Sequence, residues 1–340
     1  MAEDSQPAYL SPSELGTKDY WETYYARTLA HISHDGATPK EKENGNENED
    51  EDEDADSDAD SDLNEEDDPG TSWFSEHNAP EKVLHFLTRK SFPLSPRNTL
   101  KSTPNALSRP QPTVLDLGTG NGSMLALLQK KGGFRGHMVG VDYSRGSVEL
   151  ARELQKSRGH SAYRSDSEDE DESEDEDGED VESESRMDIG APPIQFEEWD
   201  ILGSTAALSE TGVPVEMAVA AGDGGRLDWF PYSAGGFDVV LDKGTFDAVS
   251  LSDDAKTTRV CERYPEIARR LVRRGGFLVV TTCNWTEEEL VHWFTGGTEK
   301  GVGEDRLVVW GRVEYPRFRF GGHEGQGVCT VCFTRVGGDA

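Results

Sequence analysis

The sequence predicts an α/β protein built on a doubly wound, mostly parallel sheet that closes on a terminal antiparallel hairpin. Three observations carry that expectation. Residues 114–122, VLDLGTGNG, read as a buried strand entering a glycine turn at Gly118, Gly120 and Gly122, and Ser123 then opens an apolar helix. A second apolar strand, HMVGVDYS, ends in Asp142, 24 positions after Gly118. Strand and helix patterns then alternate until the last segment, PRFRFGGHEGQGVCTVCFTRV, which reads as two strands of a hairpin.

In a sheet of this kind a ligand sits beyond the carboxyl end of the first strand, where a side chain would block its approach to the backbone. A carboxylate ending the second strand can accept both hydroxyl hydrogens of an adenosine ribose. Asp142, followed by Tyr143, therefore marks an adenosyl site. The turn has G-x-G-x-G spacing, not the G-x-G-x-x-G of a dinucleotide fingerprint, and Ser123 stands after it. Asp116, inside the first strand, is unfavourable beside a pyrophosphate but suits a cationic amino-acid group. Asp116, Gly118, Thr119, Gly120 and Gly122 thus join Asp142 and Tyr143 as candidate cofactor residues. Together DLGTGNG and VD resemble the first motif and second-strand acid of class I S-adenosylmethionine methyltransferases.

Composition bears on partners. The chain carries 67 acids against 34 bases, a formal charge of −33. Residues 41–68 hold 17 of the acids and one lysine, and 165–185 hold 14 acids and no base. Without those two runs, 36 acids face 33 bases, so the imbalance belongs to insertions and not to the fold. Runs this polar cannot bury enough apolar surface to offset the entropy of ordering, and both are expected to be disordered. Their field repels anions, which argues against nucleic acid as a partner.

Four cysteines suggest no disulfide framework. The C-x-x-C of Cys329 and Cys332 lies in an alternating strand pattern that sends the two side chains to opposite faces, so no metal is expected. No run approaches the ~20 apolar residues of a membrane span, and MAEDSQPAYL lacks a signal-peptide pattern. The expectation is a monomeric cytoplasmic protein, with the nucleus also open.

Taken in order, residues 1–40 contain an aromatic helix with Trp21, Tyr24 and Tyr25 on one stripe, assigned to the catalytic domain. The acidic insertion 41–68 follows, and the main domain is expected over 69–336, broken by a basic proline-rich linker at 89–112 and an acidic insertion at 160–190. A third strand, IQFEEWDI, ends in Trp199 and Asp200, an aromatic face and an acceptor suited to adenine. Residues 203–236 read as loop. FDVVLDKGTFDAVSL is a fourth strand ending in Asp242, with a turn at Lys243, Gly244 and Thr245. An arginine-rich helix spans 257–274, and GFLVVTTC is a wholly apolar fifth strand, as a central parallel strand should be. NWTEEELVHWF opens a helix with a capping box of Thr286 and Glu289.

Several of these segments are similar to one group. LGTKDYWETYY, SWFSEH, VLDLGTGNG, FDVVLDKGTFDAVSL, TTCNWTEEEL and FGGHEGQGVCTVCF resemble the eukaryotic lysine methyltransferases acting on translation elongation factor 1-alpha, in particular the fungal elongation factor methyltransferase four type. The first motif and the ribose acid are common to the whole class, whereas DKGT-F-DA and CNWT-EEEL are far more specific. The resemblance implies S-adenosylmethionine as cofactor and a protein lysine as acceptor. Lysine must attack as a neutral amine, although its ordinary pKa is about 10.4. On that reading Asp242 orients the incoming lysine or holds the cofactor's amino group, and Phe246, Trp21 and Trp285 offer aromatic faces to a methylated cation. Lys243, Gly244 and Thr245 complete the substrate side. An Asp-Lys-Gly-Thr turn, in place of an asparagine-proline-proline-aromatic motif, argues against amide or DNA methylation. Two rival functions stay open: a small-molecule methyltransferase, and a noncatalytic acidic protein that binds basic partners.

Overall fold

Five parallel strands make up most of the sheet, and the inner ones are built on apolar runs buried on both faces. In a computed structural model, residues 7–35, 69–70, 74, 77–99, 111–164, 192–214, 225–252, 259–296, 304–320, 323–325 and 327–337 are described. The acidic stretches expected at 41–68 and 165–185 lie outside them. The parallel strands are β1 (Val114–Leu117), β2 (Met138–Asp142), β3 (Gln195–Glu198), β4 (Phe237–Lys243) and β5 (Val272–Thr282). With β6 (Arg306–Val313) and β9 (Cys329–Val336) they make one seven-stranded sheet, ordered β3-β2-β1-β4-β5-β9-β6. The last strand is inserted antiparallel between β5 and β6.

The antiparallel end of the sheet is as expected, but its pairing is not that of one hairpin. The tail splits into a separate two-stranded ribbon, β7 (Phe318–Phe320) with β8 (His323–Gly325), and β9, which pairs instead with β5 and β6. The strand RLVVWGRV, read as no element in the sequence, supplies the sheet edge. Its residues are mostly half-buried, so it shows neither a clean alternation nor a fully apolar run.

Alternate residues of each central strand feed two apolar layers. Leu115, Leu117, Val240, Leu278 and Val280 face a layer completed by α6 (Thr245–Ser250), α7 (Val260–Leu271) and α8 (Glu287–Thr295). Val114, Met138, Val239, Leu241 and Val279 face the layer of α2 (Ala79–Thr88), α4 (Ser123–Lys130) and α5 (Arg145–Ser157). Cys329 joins the first layer and Cys332 the second, as opposite strand faces require. All four cysteines are free, and the described residues contain no cluster of His, Cys, Asp and Glu able to hold a metal.

The linker expected at 89–112 is packed over its described first part. A one-turn helix, α3 (Pro96–Thr99), follows Phe92, which is wholly buried between Phe86, Phe277 and Trp310. One phenylalanine outweighs the proline-rich composition there. Likewise Trp229, Phe230 and Tyr232 anchor part of the segment read as a 203–236 loop.

The N-terminal segment crosses to the ligand edge of the sheet. Ser13 donates its amide to the Leu251 carbonyl after α6, at 2.9 Å. Helix α1 (Lys18–Asp35) then docks on α5, where Glu22 accepts from the free amides of Arg145 and Gly146 in the first turn, at 3.1 and 3.4 Å. No described helix is long and apolar enough to cross a membrane.

Candidate active site

A cleft opens at the carboxyl ends of β1, β2 and β4, where the strand order reverses and a doubly wound sheet leaves a crevice. It encloses about 1060 Å³ of empty space, its open mouth included. The floor is the glycine turn 118–121. Asp142, Tyr143, Trp199 and Asp200 line one side, and Lys243, Gly244 and Thr245 the other. Gly16, Trp21 and Tyr25 bring the N-terminal segment to it.

The turn needs glycine for two different reasons. At Gly118, with φ +60°, an added Cβ would lie 2.2 Å from the Thr245 hydroxyl, which is itself held by the Leu117 carbonyl at 2.6 Å. At Gly122, with φ +74°, the obstacles are the Tyr163 hydroxyl and the Phe196 ring, at 2.3 and 2.6 Å. Both positions adopt a backbone that disfavours side chains. Of the three glycines of this turn, only Gly118 and Gly120 border the cleft. The expectation that Gly122 touches the cofactor is corrected, since its place is against buried aromatics.

Asp142 is held ready at the end of β2. Oδ1 accepts from the Ser144 amide at 2.9 Å and Oδ2 from the Gly120 amide at 3.1 Å. The Ser147 hydroxyl lies 2.8 Å from Oδ2 and equally near the Gly120 carbonyl, so its one proton serves either. Burial pushes the carboxyl up from its ordinary value, while these donors pull it back. A carboxylate has about four acceptor positions, so Oδ1 keeps capacity for a ribose hydroxyl. Tyr143 donates its hydroxyl to the Thr17 carbonyl at 3.0 Å, tying the cleft wall to the N-terminal segment. Trp199 packs edge-on against Trp229 at 5.2 Å. Asp200 turns Oδ1 back onto the amides of Leu202 and Gly203, at 3.0 and 2.9 Å.

Asp116 lies beneath the turn and does not border the cleft. Its Oδ2 accepts from the Thr119 hydroxyl at 2.9 Å, and Thr119 is the residue that reaches the cavity. Burial pushes Asp116 up to about 6, and the Lys243 charge opposes the rise.

Asp242 is placed differently from its assignment. It is 1% exposed and absent from the cleft lining. Oδ1 accepts from the amides of Thr245 and Phe246, at 2.9 and 3.2 Å, and Oδ2 from the Tyr264 hydroxyl at 2.7 Å. It closes the turn into α6 and is withdrawn from the catalytic, cofactor and substrate roles expected of it. Phe246 and Trp285 are corrected for a related reason. Phe246 is wholly buried between Tyr264 and Trp285, at ring distances of 5.7 and 5.9 Å, and the Trp285 indole donates to Ser250 at 3.3 Å. Both rings are core. Of the proposed aromatic faces only Trp21 borders the cleft, its indole N–H fixed on the Leu15 carbonyl at 2.8 Å.

The buried Asp242 has a pH signature. Burial pushes its pKa from the ordinary 3.8 up to about 7. A folded value above the unfolded one means that the folded state binds more protons between those limits. The stability contributed is then full below about pH 4 and is lost as pH rises toward about 7. In urea titrations Asp242→Asn should gain on the intact chain as pH rises through that window and level off above it. A stability difference that stays flat, or moves the other way, would contradict the burial assignment.

Two contributors escaped the sequence reading. Tyr25 was placed on a packing stripe, yet it borders the cleft with its hydroxyl beside Gly120. Asp247, the D of the DKGT-F-DA segment, is wholly buried and accepts from the Thr282 hydroxyl and from the amides of Cys283 and Asn284, each amide at 3.2 Å. With the Phe246–Trp285 stack it fastens the turn after β4 to the CNWT loop after β5. The two most specific segments are thus a single structural unit.

The residues present fit an adenosyl ligand: Asp142 would hold the ribose, and Tyr143, Trp199 and Asp200 would flank the base. The strand order is that of a class I methyltransferase fold, and the chain is an enzyme with S-adenosylmethionine as cofactor. A sequence family described as a methyltransferase domain matches residues 108–183. Nearly the whole chain is moreover similar to protein-lysine N-methyltransferases. It is 29% identical over 330 residues to protein-lysine N-methyltransferase EFM4 of Saccharomyces cerevisiae, covering 96% of this chain and 97% of that one. Against protein-lysine N-methyltransferase efm4 of Schizosaccharomyces pombe the identity is 25%, with 95% of each chain covered. EEF1A lysine methyltransferase 2 of Homo sapiens is 24% identical, with 96% of this chain and 88% of that protein covered.

Proposed function

We propose that this methyltransferase acts in the cytoplasm on a lysine of translation elongation factor 1-alpha. The observation that carries the proposal is the end-to-end similarity to EEF1A lysine methyltransferase 2 of Homo sapiens, 96% of one chain against 88% of the other. It includes the segments that Asp247 joins into one unit.

When bound, S-adenosylmethionine supplies a methyl group on a sulfonium sulfur. The chain's own task is to bring a neutral lysine amine to that methyl and keep water away. Trp21, Ala248 and Val249 give the cleft an apolar side. Apolar surroundings disfavour the ammonium form, which lowers the acceptor's pKa and favours loss of its proton before attack. With Asp242 committed to Tyr264 and the α6 amides, no orienting carboxylate is drawn from it, and desolvation alone acts on the amine's pKa.

Mass spectrometry of recombinant elongation factor 1-alpha, incubated with the protein and S-adenosylmethionine, should show methyl groups added to lysine. An unmodified factor, with cofactor binding intact, would overturn the target and favour a small-molecule acceptor.

A further inference from the structure

Lys243 ends β4 one residue beyond the Leu117–Asp242 pair, so it leaves the sheet beside the glycine turn. It is half-buried and forms part of the cleft wall. Among the described residues its ammonium makes no hydrogen bond and no ion pair within 4.0 Å. Two carboxylates attract it without pairing: Asp116, whose Oδ2 takes the Thr119 hydroxyl, and Asp242, occupied by Tyr264 and the α6 amides. Burial meanwhile lowers its pKa. A partly desolvated cation is costly unless it is paired. Its placement in a ligand cleft therefore calls for an anion brought by the ligand.

An acceptor lysine cannot be that ligand, because two ammonium groups repel. The adenosyl end offers no anion either. The methionyl end of the cofactor is a zwitterion with one ammonium and one carboxylate. The turn opposes an acid and a base at that level, Asp116 beneath it and Lys243 beside it. We propose that Lys243 binds the carboxylate of the cofactor's methionyl end, a cofactor contact in place of the substrate contact read from the sequence. The inference rests on the reading of the cleft as the cofactor site.

Calorimetry with two ligands separates the possibilities. S-adenosylhomocysteine carries the amino-acid end, and 5′-methylthioadenosine lacks it. In Lys243→Met, which keeps the length of the side chain, S-adenosylhomocysteine should bind about tenfold to a hundredfold more weakly. Methylthioadenosine affinity should change by less than about twofold, and Lys243→Arg should retain most of the affinity for S-adenosylhomocysteine. Equal losses for both ligands would make Lys243 a structural counter-ion of Asp116 and overturn the proposal, as would no loss for either. Should the Met variant fail to fold, the intact chain still provides a test. Decarboxylated S-adenosylhomocysteine should then bind roughly tenfold or more weakly than the parent, and equal affinity would overturn the proposal. Failure of the cofactor reading itself looks different, since the intact chain would then bind none of the three ligands.

Discussion

Asp142→Ala is expected to weaken S-adenosylmethionine binding by about tenfold to a hundredfold, the equivalent of one charge-assisted contact of roughly 1.5–3 kcal/mol. The substitution also leaves the Gly120 and Ser144 amides without their acceptor. That adds a stability cost of about 1–3 kcal/mol, within what a domain of 5–15 kcal/mol tolerates. Asp142→Asn separates the two effects. It keeps one oxygen for the Ser144 amide but loses the charge and half of the acceptor capacity. Calorimetry should show the Asn variant nearer to Ala in affinity, and urea denaturation should show it nearer to the intact chain in stability. Unchanged affinity in the Ala variant would remove Asp142 from the ribose site.

The parts of the site legible in the sequence are those set by local chemistry. A glycine turn after an apolar strand forms the floor because only glycine takes that backbone with Thr245 and Tyr25 so near. The acid at the end of β2 falls beside it because parallel pairing aligns Val141 with Leu117. Assignments made by position alone fared less well. Asp242 was chosen because it ends a strand, but its partner Tyr264 lies 22 residues further on, and only the packing of α7 on the sheet brings them together. Phe246 and Trp285 suit a cation cage by residue type. Their burial depends on Trp293 and Phe294 arriving from α8, at ring distances of 5.0–6.1 Å. The apolar stripe of NWTEEELVHWF held that signal, since a helix with a buried face needs aromatic partners across from it. Edge strand β6 left no comparable trace, being half-buried along most of its length.

The second large effect is expected at Asp247, and it is structural before it is chemical. Its two oxygens collect the buried hydroxyl of Thr282, the last residue of β5, and two part-buried backbone amides from the exposed loop that follows. Asp247→Ala removes the acceptor and leaves the Thr282 hydroxyl buried without it. Leaving a buried donor without its acceptor costs about 1–3 kcal/mol. Asp247 lies in the first turn of α6, whose next residues, Ala248 and Val249, line the cleft. Releasing the CNWT loop therefore loosens the apolar wall on the acceptor side, while Asp142 and the glycine turn keep their own partners. The expected result is a large loss in urea midpoint and in methyl-transfer rate, with S-adenosylhomocysteine affinity changed by less than about threefold, under 1 kcal/mol. Asp247→Asn, which retains one acceptor oxygen, should recover part of both losses. If the Ala variant unfolds at the same urea concentration as the intact chain, the Asp247 link does not hold the two segments together, and their joint presence in the sequence needs another explanation.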